Sequence, residues 1–160
     1  GQEQVISGDE NIGDYFIDKD KYDSLESCRV QPGDILISLV GTIGKVLILT
    51  ENACEGIINP RLVKLSLFHL ICRKYVKIVL GSKLIQDELY SKSHGSTMDV
   101  LNLGLLKGLV FPIPPTEEQH RIVAKVDELM ALCEQLKSRL SDAQTTQLHL
   151  ADAIVEQAIG

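Results

Sequence analysis

The residues able to do chemistry in this chain are scattered cations and small polar side chains. Gly41-Thr42-Ile43-Gly44-Lys45 has the ingredients of a phosphate-binding loop. Its spacing is wrong for one. A P-loop places four residues between its glycines and follows the lysine with Ser or Thr. Here two residues separate the glycines and Val46 follows the lysine, so a glycine-flanked turn between strands is the better reading. From Arg61 to Lys92 the charge balance inverts: Arg61, Lys64, Arg73, Lys74, Lys77, Lys83 and Lys92 face only Asp87 and Glu88. Clustered cations neutralise phosphates and fix register on a duplex, although a solvated helix face carries the same pattern. Gly95-Ser96-Thr97 offers backbone amides and hydroxyls to a phosphate, although polar loops of this kind usually bind nothing.

Other chemistries find no support. The four histidines (His69, His94, His120, His149) and four cysteines (Cys28, Cys54, Cys72, Cys133) lie far apart, without metal-ligand spacing. Neither a dinucleotide fingerprint nor a nucleophile elbow is present. The expectation is therefore no catalytic residue, no metal and no cofactor on this chain. The cysteines read as free thiols of a reducing, cytoplasmic compartment. No apolar run approaches the length of a membrane span. Net charge is −6, tryptophan is absent and aromatics make up 4%. A globally basic balance would advertise nucleic acid and stacking platforms would suit single strands; this chain has neither.

The elements that must position these groups follow from periodicity. Gly1 to Ser27 is polar and acidic, with short apolar pieces at Val5-Ile6 and Tyr15-Phe16-Ile17, and reads as irregular structure with one or two short strands. It opens no domain, so the chain is expected to begin inside a fold. Gln31-Pro32-Gly33-Asp34 is a turn. The apolar runs Ile35–Val40 and Lys45–Leu49 suggest strands buried on both faces. Ile57-Ile58 and Arg61–Leu67 give further strands, the latter with Leu62, Lys64 and Ser66 on an outward face and apolar Val63 aside. From Leu70 to Ser91 the period becomes helical, with Ile71, Tyr75, Ile78 and Val79 on one face. Gly81 ends that helix, and Ser82 caps a second whose inward residues are Leu84, Ile85 and Leu89. Val100 to Val110 gives short elements.

Phe111-Pro112-Ile113-Pro114-Pro115 cannot be helix interior. Beyond it no proline follows, and no glycine before Gly160. Thr116 and Gln119 fit a capping box, and Glu117-Glu118 complement the helix dipole. Ile122, Val126, Leu129, Cys133, Leu136, Leu140, Ala143, Gln147, Leu150, Ile154 and Gln157 then recur by alternating fours and threes, the period of paired helices. Leu148, Ala151, Val155 and Ala158 form a neighbouring apolar row where the seam drifts. One continuous helix would be about 65 Å long at 1.5 Å per residue, so part of it is expected to project and meet a partner. The bland alternative is a helix packed on its own domain with a break between Ser141 and Gln147. Through Pro115 there are twelve basic and fourteen acidic residues, and beyond it four and eight. The two expected parts are thus a nearly neutral domain, 1–115, and an acidic helix, 116–160. The fold class is α+β: a small mixed-sheet domain followed by a long coiled-coil helix.

The order of these features resembles a known family. Pro32-Gly33-Asp34, the Gly41–Gly44 hairpin, Asn59-Pro60-Arg61-Leu62, the helix pair, Gly95-Ser96-Thr97 and above all Phe111-Pro112-Ile113-Pro114-Pro115-Thr116-Glu117-Glu118-Gln119-His120-Arg121-Ile122-Val123 look like the specificity subunits of type I restriction-modification systems. The last run is similar to the junction between a target recognition domain and a long conserved helix. The resemblance implies a non-catalytic component that reads double-stranded DNA. It also implies partner modification subunits, which methylate adenine with S-adenosylmethionine, and a separate restriction subunit. A complete specificity subunit has two recognition domains and two antiparallel helices. This chain has one of each, with a recognition domain short at its N-terminus, as in a half-subunit or truncated fragment.

On that basis Arg61, Lys64, Lys74 and Lys77 are candidates for phosphate contacts, with Lys45 beside them, and Thr42, Ser96 and Thr97 for closer polar contacts. The seam is expected to form a homodimer through residues 120 to 158, two copies running antiparallel. The competing reading is an interaction module in which the helix does all the work and DNA binding has been lost.

Overall fold

A computed structural model describes residues 1–13, 15–93, 101 and 103–159. It divides into two compact units, Gly1–His120 and Arg121–Gly160.

The first unit is built on β2 (Ile35–Ser38). It pairs antiparallel with β3 (Val46–Ile48) through Leu36↔Leu47 and with β5 (Leu62–Leu65) through Ile37↔Val63, giving the order β3-β2-β5. A second ribbon pairs β1 (Arg29–Val30) with β4 (Gly56–Ile57), also antiparallel. The α+β class stands, with antiparallel pairing throughout the described strands where a mixed sheet was expected. All four β2 residues are buried, as its unbroken apolar run implies for a central strand covered on both faces. On one face Leu36, Leu47, Leu49 and Leu62 pack with Val5 of α1 (Gln2–Ser7). Ile35 and Ile37 alternate to the other face. α3 (Arg73–Gly81) contacts β3 and buries Tyr75, Val76 and Leu80. α4 (Lys83–Ser93) packs on α3 and buries Ile85 and Leu89.

Several sequence expectations change here. The N-terminal segment holds helices, α1 and α2 (Lys19–Ser24), where short strands were expected. Val5-Ile6 is too short to choose its own conformation; Gly8, in left-handed geometry at φ +78°, closes α1 and lets Val5 reach the core. α2 takes Asp18 as its cap, the carboxylate accepting from Lys21 N at 2.7 Å. On α3 the buried face is Tyr75, Val76 and Leu80, and Leu84 of α4 is exposed. Of the expected outward face, Leu62 is buried and Lys64 half-buried, and only Ser66 is exposed. Lys64 and Ser66 both turn to Asp34, a buried carboxylate that needs partners. Asp34 accepts from Ser66 Oγ at 3.1 Å and Gln31 N at 2.9 Å, with Lys64 Nζ 3.9 Å away.

A short helix α5 (Leu103–Lys107) precedes the proline run, and α6 (Thr116–Ile159) follows as one helix of 44 residues. No break falls between Ser141 and Gln147. Thr145 and Thr146 direct their hydroxyls to the carbonyls of Ser141 and Asp142 at 3.0 and 2.9 Å, which keeps those polar side chains compatible with helix. The expected capping box is absent. Thr116 Oγ1 instead donates to Leu70 O at 3.1 Å. The Gln119 amide, 1% exposed, accepts from Cys72 N at 2.7 Å and donates to Pro114 O at 2.8 Å. Both side chains satisfy backbone groups of their own unit rather than one another, because Cys72 N, just ahead of α3, needs an acceptor inside the protein. Tyr75 Oη donates to Pro112 O at 2.7 Å and fixes the proline run as well. No helix among the described residues is long and apolar enough to cross a membrane.

Candidate nucleic-acid interface

Residues 39–45 turn β2 into β3, and their shape is set from beneath. Ser38 is fully buried; its hydroxyl donates to Thr42 O at 2.5 Å and accepts from Lys45 N at 3.0 Å. Gly44 N donates to Ser38 O at 2.9 Å. Ile43, 1% exposed, plugs the turn into the core. Gly41 and Gly44 take φ of +71° and +72°, which side chains rarely adopt. A Cβ on Gly44 would also lie 2.9 Å from Gln86 Nε2. That amide donates to Gly44 O at 3.2 Å and to Leu80 O at 2.6 Å, joining the turn to the end of α3. What the turn leaves outside is Thr42 and Lys45, both exposed.

Arg61 stands beside them. Asn59 Oδ1 accepts from Arg61 N and Asn59 O from Leu62 N, each at 3.0 Å, so Asn59-Pro60-Arg61-Leu62 is a side-chain-capped turn. Leu39 N donates to Arg61 O at 2.8 Å and ties that turn to the end of β2. Thr42 and Arg61 line one open depression of about 560 Å³ with Gly41, Asn59, Gln2 and Glu3. Gln2 holds its edge by donating its side-chain amide to Val40 O.

The remaining candidates separate from this cluster. Lys74 and Lys77 are exposed on α3, beside the buried Tyr75 and Val76. Lys64 is engaged within the fold, donating to Arg29 O at 2.6 Å. Ser96 and Thr97 lie outside the described residues, although Leu101 N, just beyond that stretch, donates to Leu39 O at 2.6 Å. Neither Lys45, Arg61 nor Lys77 has an ion-pair partner among the described residues. Sequence reading missed Ser38 and Gln86. Ser38 had a signal, being the one polar residue in Ile35–Val40, whereas Gln86 is a polar residue on a helix like any other.

Along α6, Ile122 and Val126 are half-buried, and Leu129, Cys133, Leu136, Leu140, Ala143, Leu150 and Ile154 are exposed. The large members run from 49% exposed at Leu129 to 65% at Ile154. Leu148 and Val155, of the neighbouring row, are exposed as well. Away from the seam, Lys137 donates to Glu134 at 2.7 Å, and that hydrogen bond holds the ammonium above the usual lysine range. No cluster of metal-ligating side chains occurs among the described residues.

Residues 6–143 match the family described as type I restriction modification DNA specificity domain. The chain belongs to that family. It is 30% identical over 140 residues to the type I restriction enzyme EcoEI specificity subunit of Escherichia coli, covering 82% of this chain and 23% of that protein. It is 29% identical over 130 residues to the EcoBI specificity subunit of the same organism, covering 81% and 27%. The chain therefore spans about a quarter of the length of the curated relatives it matches. Among solved structures, the HsdS subunit from Thermoanaerobacter tengcongensis superposes with a TM-score of 0.62 at 21% identity, over 72% of this chain and 30% of that one. A structure described for complex assembly and conformational transition of the type I R-M system gives 0.63 at 24% identity, over 82% and 31%. These likenesses carry the fold. The turn at 41–45, the Asn59–Leu62 turn and the Gln119 contacts are thus features of a specificity domain.

Proposed function

We propose that this chain is a DNA-recognition element of a type I restriction-modification system, directing modification and restriction subunits to a target. Membership of the DNA specificity domain family over residues 6–143 carries the reading. The cationic and hydroxyl groups presented by the two turns support it. The chain contributes no catalytic step of its own, and adenine methylation with S-adenosylmethionine belongs to partner modification subunits. Anisotropy titrations of labelled duplex against the chain, alone and with a modification subunit, test this across salt concentrations. Binding should weaken steeply with salt as phosphate contacts release counterions. Failure to bind any duplex at low salt in either state would reject it.

The exposed seam supports assembly through the helix. Burying one Leu or Ile is worth about 1.5–3 kcal/mol, and Leu129, Leu136, Leu140, Leu150 and Ile154 are all available. A second copy, antiparallel and related by a two-fold axis, would cover them and present two recognition domains, as the complete architecture requires. The same seam also favours the second reading, a helix-driven interaction module without DNA binding. Light scattering together with the duplex titration separates the two: a dimer that ignores DNA is the module, and a dimer that binds it is the recognition element.

A further inference from the structure

We infer that the 41–45 turn and Arg61 form a sequence-blind grip on the DNA phosphate backbone, with Gln86 as its positioning residue. This rests on the DNA-recognition reading and divides the labour within it. The groups displayed are one hydroxyl (Thr42), one ammonium (Lys45) and one guanidinium (Arg61), all able to donate. Phosphate oxygens only accept, and each of these three groups can donate to one. The backbone carrying these donors is held by the buried Ser38 hydroxyl, the Ile43 plug, the Asn59 cap and the Gln86 amide. A rigid display suits a target whose geometry repeats whatever the sequence. Glu3, on the α1 wall of the same depression, repels phosphate from that side and leaves the strand to cross over Thr42, Lys45 and Arg61. Base reading must then come from other loops.

The test uses the full chain, alone and assembled with a modification subunit, on a random-sequence duplex pool. Binding is titrated against salt and the bound fraction is sequenced. Lys45→Ala and Arg61→Ala should each flatten the salt slope by about one unit and leave the enriched sequences unchanged. Glu3→Gln should tighten binding to the whole pool. Gln86→Leu touches no DNA in this scheme, yet should loosen the turn and flatten the slope while circular dichroism stays native. Changed enrichment in Arg61→Ala would make the turn a base reader and overturn the grip. An unaltered slope in both cation variants, with the parent still binding, would place the turn off the interface. If only Gln86→Leu keeps the parent slope, the grip stands and its positioning residue is wrong. If the parent chain binds no duplex in either state, the DNA reading itself fails and the grip falls with it.

Discussion

Two buried residues show how single side chains hold this fold in register. Gln119 uses both ends of its amide, on Cys72 N and on Pro114 O. Gln119→Ala removes a buried side chain and with it the acceptor of Cys72 N, and an unmet buried group costs about 1–3 kcal/mol. Urea unfolding should show stability lower by that amount, read as a lower midpoint at an unchanged slope. Gly33 is the backbone counterpart. At φ +82° a Cβ there would lie 2.4 Å from Arg73 Cζ, whereas at Gly8, φ +78°, nothing lies within 4 Å. Alanine at either position incurs left-handed strain of about 1–2 kcal/mol. Gly33→Ala must also displace the Arg73 guanidinium from the start of α3 and should unfold at lower urea than Gly8→Ala; equal midpoints would mean that the guanidinium moves away freely.

At the scale of elements, the β2–β3 turn is stabilised by packing beneath it more than by its own residues. Ser38→Ala removes the hydroxyl that serves Thr42 O and Lys45 N together. The expected loss is about 1–3 kcal/mol, with faster hydrogen exchange at Lys45 and Gly44 than elsewhere in the sheet. Uniform acceleration across the sheet would instead mean that the turn does not open separately. The surface pairs of α6 behave differently. Lys125–Glu128 and Lys137–Glu134 are solvent-exposed, and exposed ion pairs contribute little. Glu134→Gln should leave the thermal midpoint unchanged within error.

At the scale of the whole molecule, charge and apolar exposure are divided between the parts. The stretch through Pro115 is nearly neutral and the remainder carries twice as many acidic as basic residues, so the proposed duplex binding would have to come from local display rather than net charge. The α6 seam is the part suited to protein. Leu136→Asp would bury an unpaired charge in a paired seam and should convert a dimer to monomers in light scattering. A parent chain that stays monomeric at high concentration would remove the two-fold pairing proposal.

The long helix, the central strand and the proline junction were all legible in the sequence, because each depends on short-range rules. A run free of proline and interior glycine with heptad spacing specifies a helix wherever it sits, and an apolar β-branched run bounded by Gly-rich turns specifies a buried strand. The Gly41–Gly44 turn was legible for the same reason. Pairings between distant residues were not. Thr116 and Gln119 satisfied a local capping pattern, yet their side chains went to Leu70 and to Cys72 and Pro114. Lys64 looked like a free cation until Asp34 and Arg29 O were brought beside it. Val5-Ile6 carried too few residues to choose between strand and helix until the sheet offered a face. Local periodicity thus determined the long helix, the central strand and the turn that follows it, while the short N-terminal helices and the partner of each buried polar group, met from distant parts of the chain, were decided only by the tertiary structure.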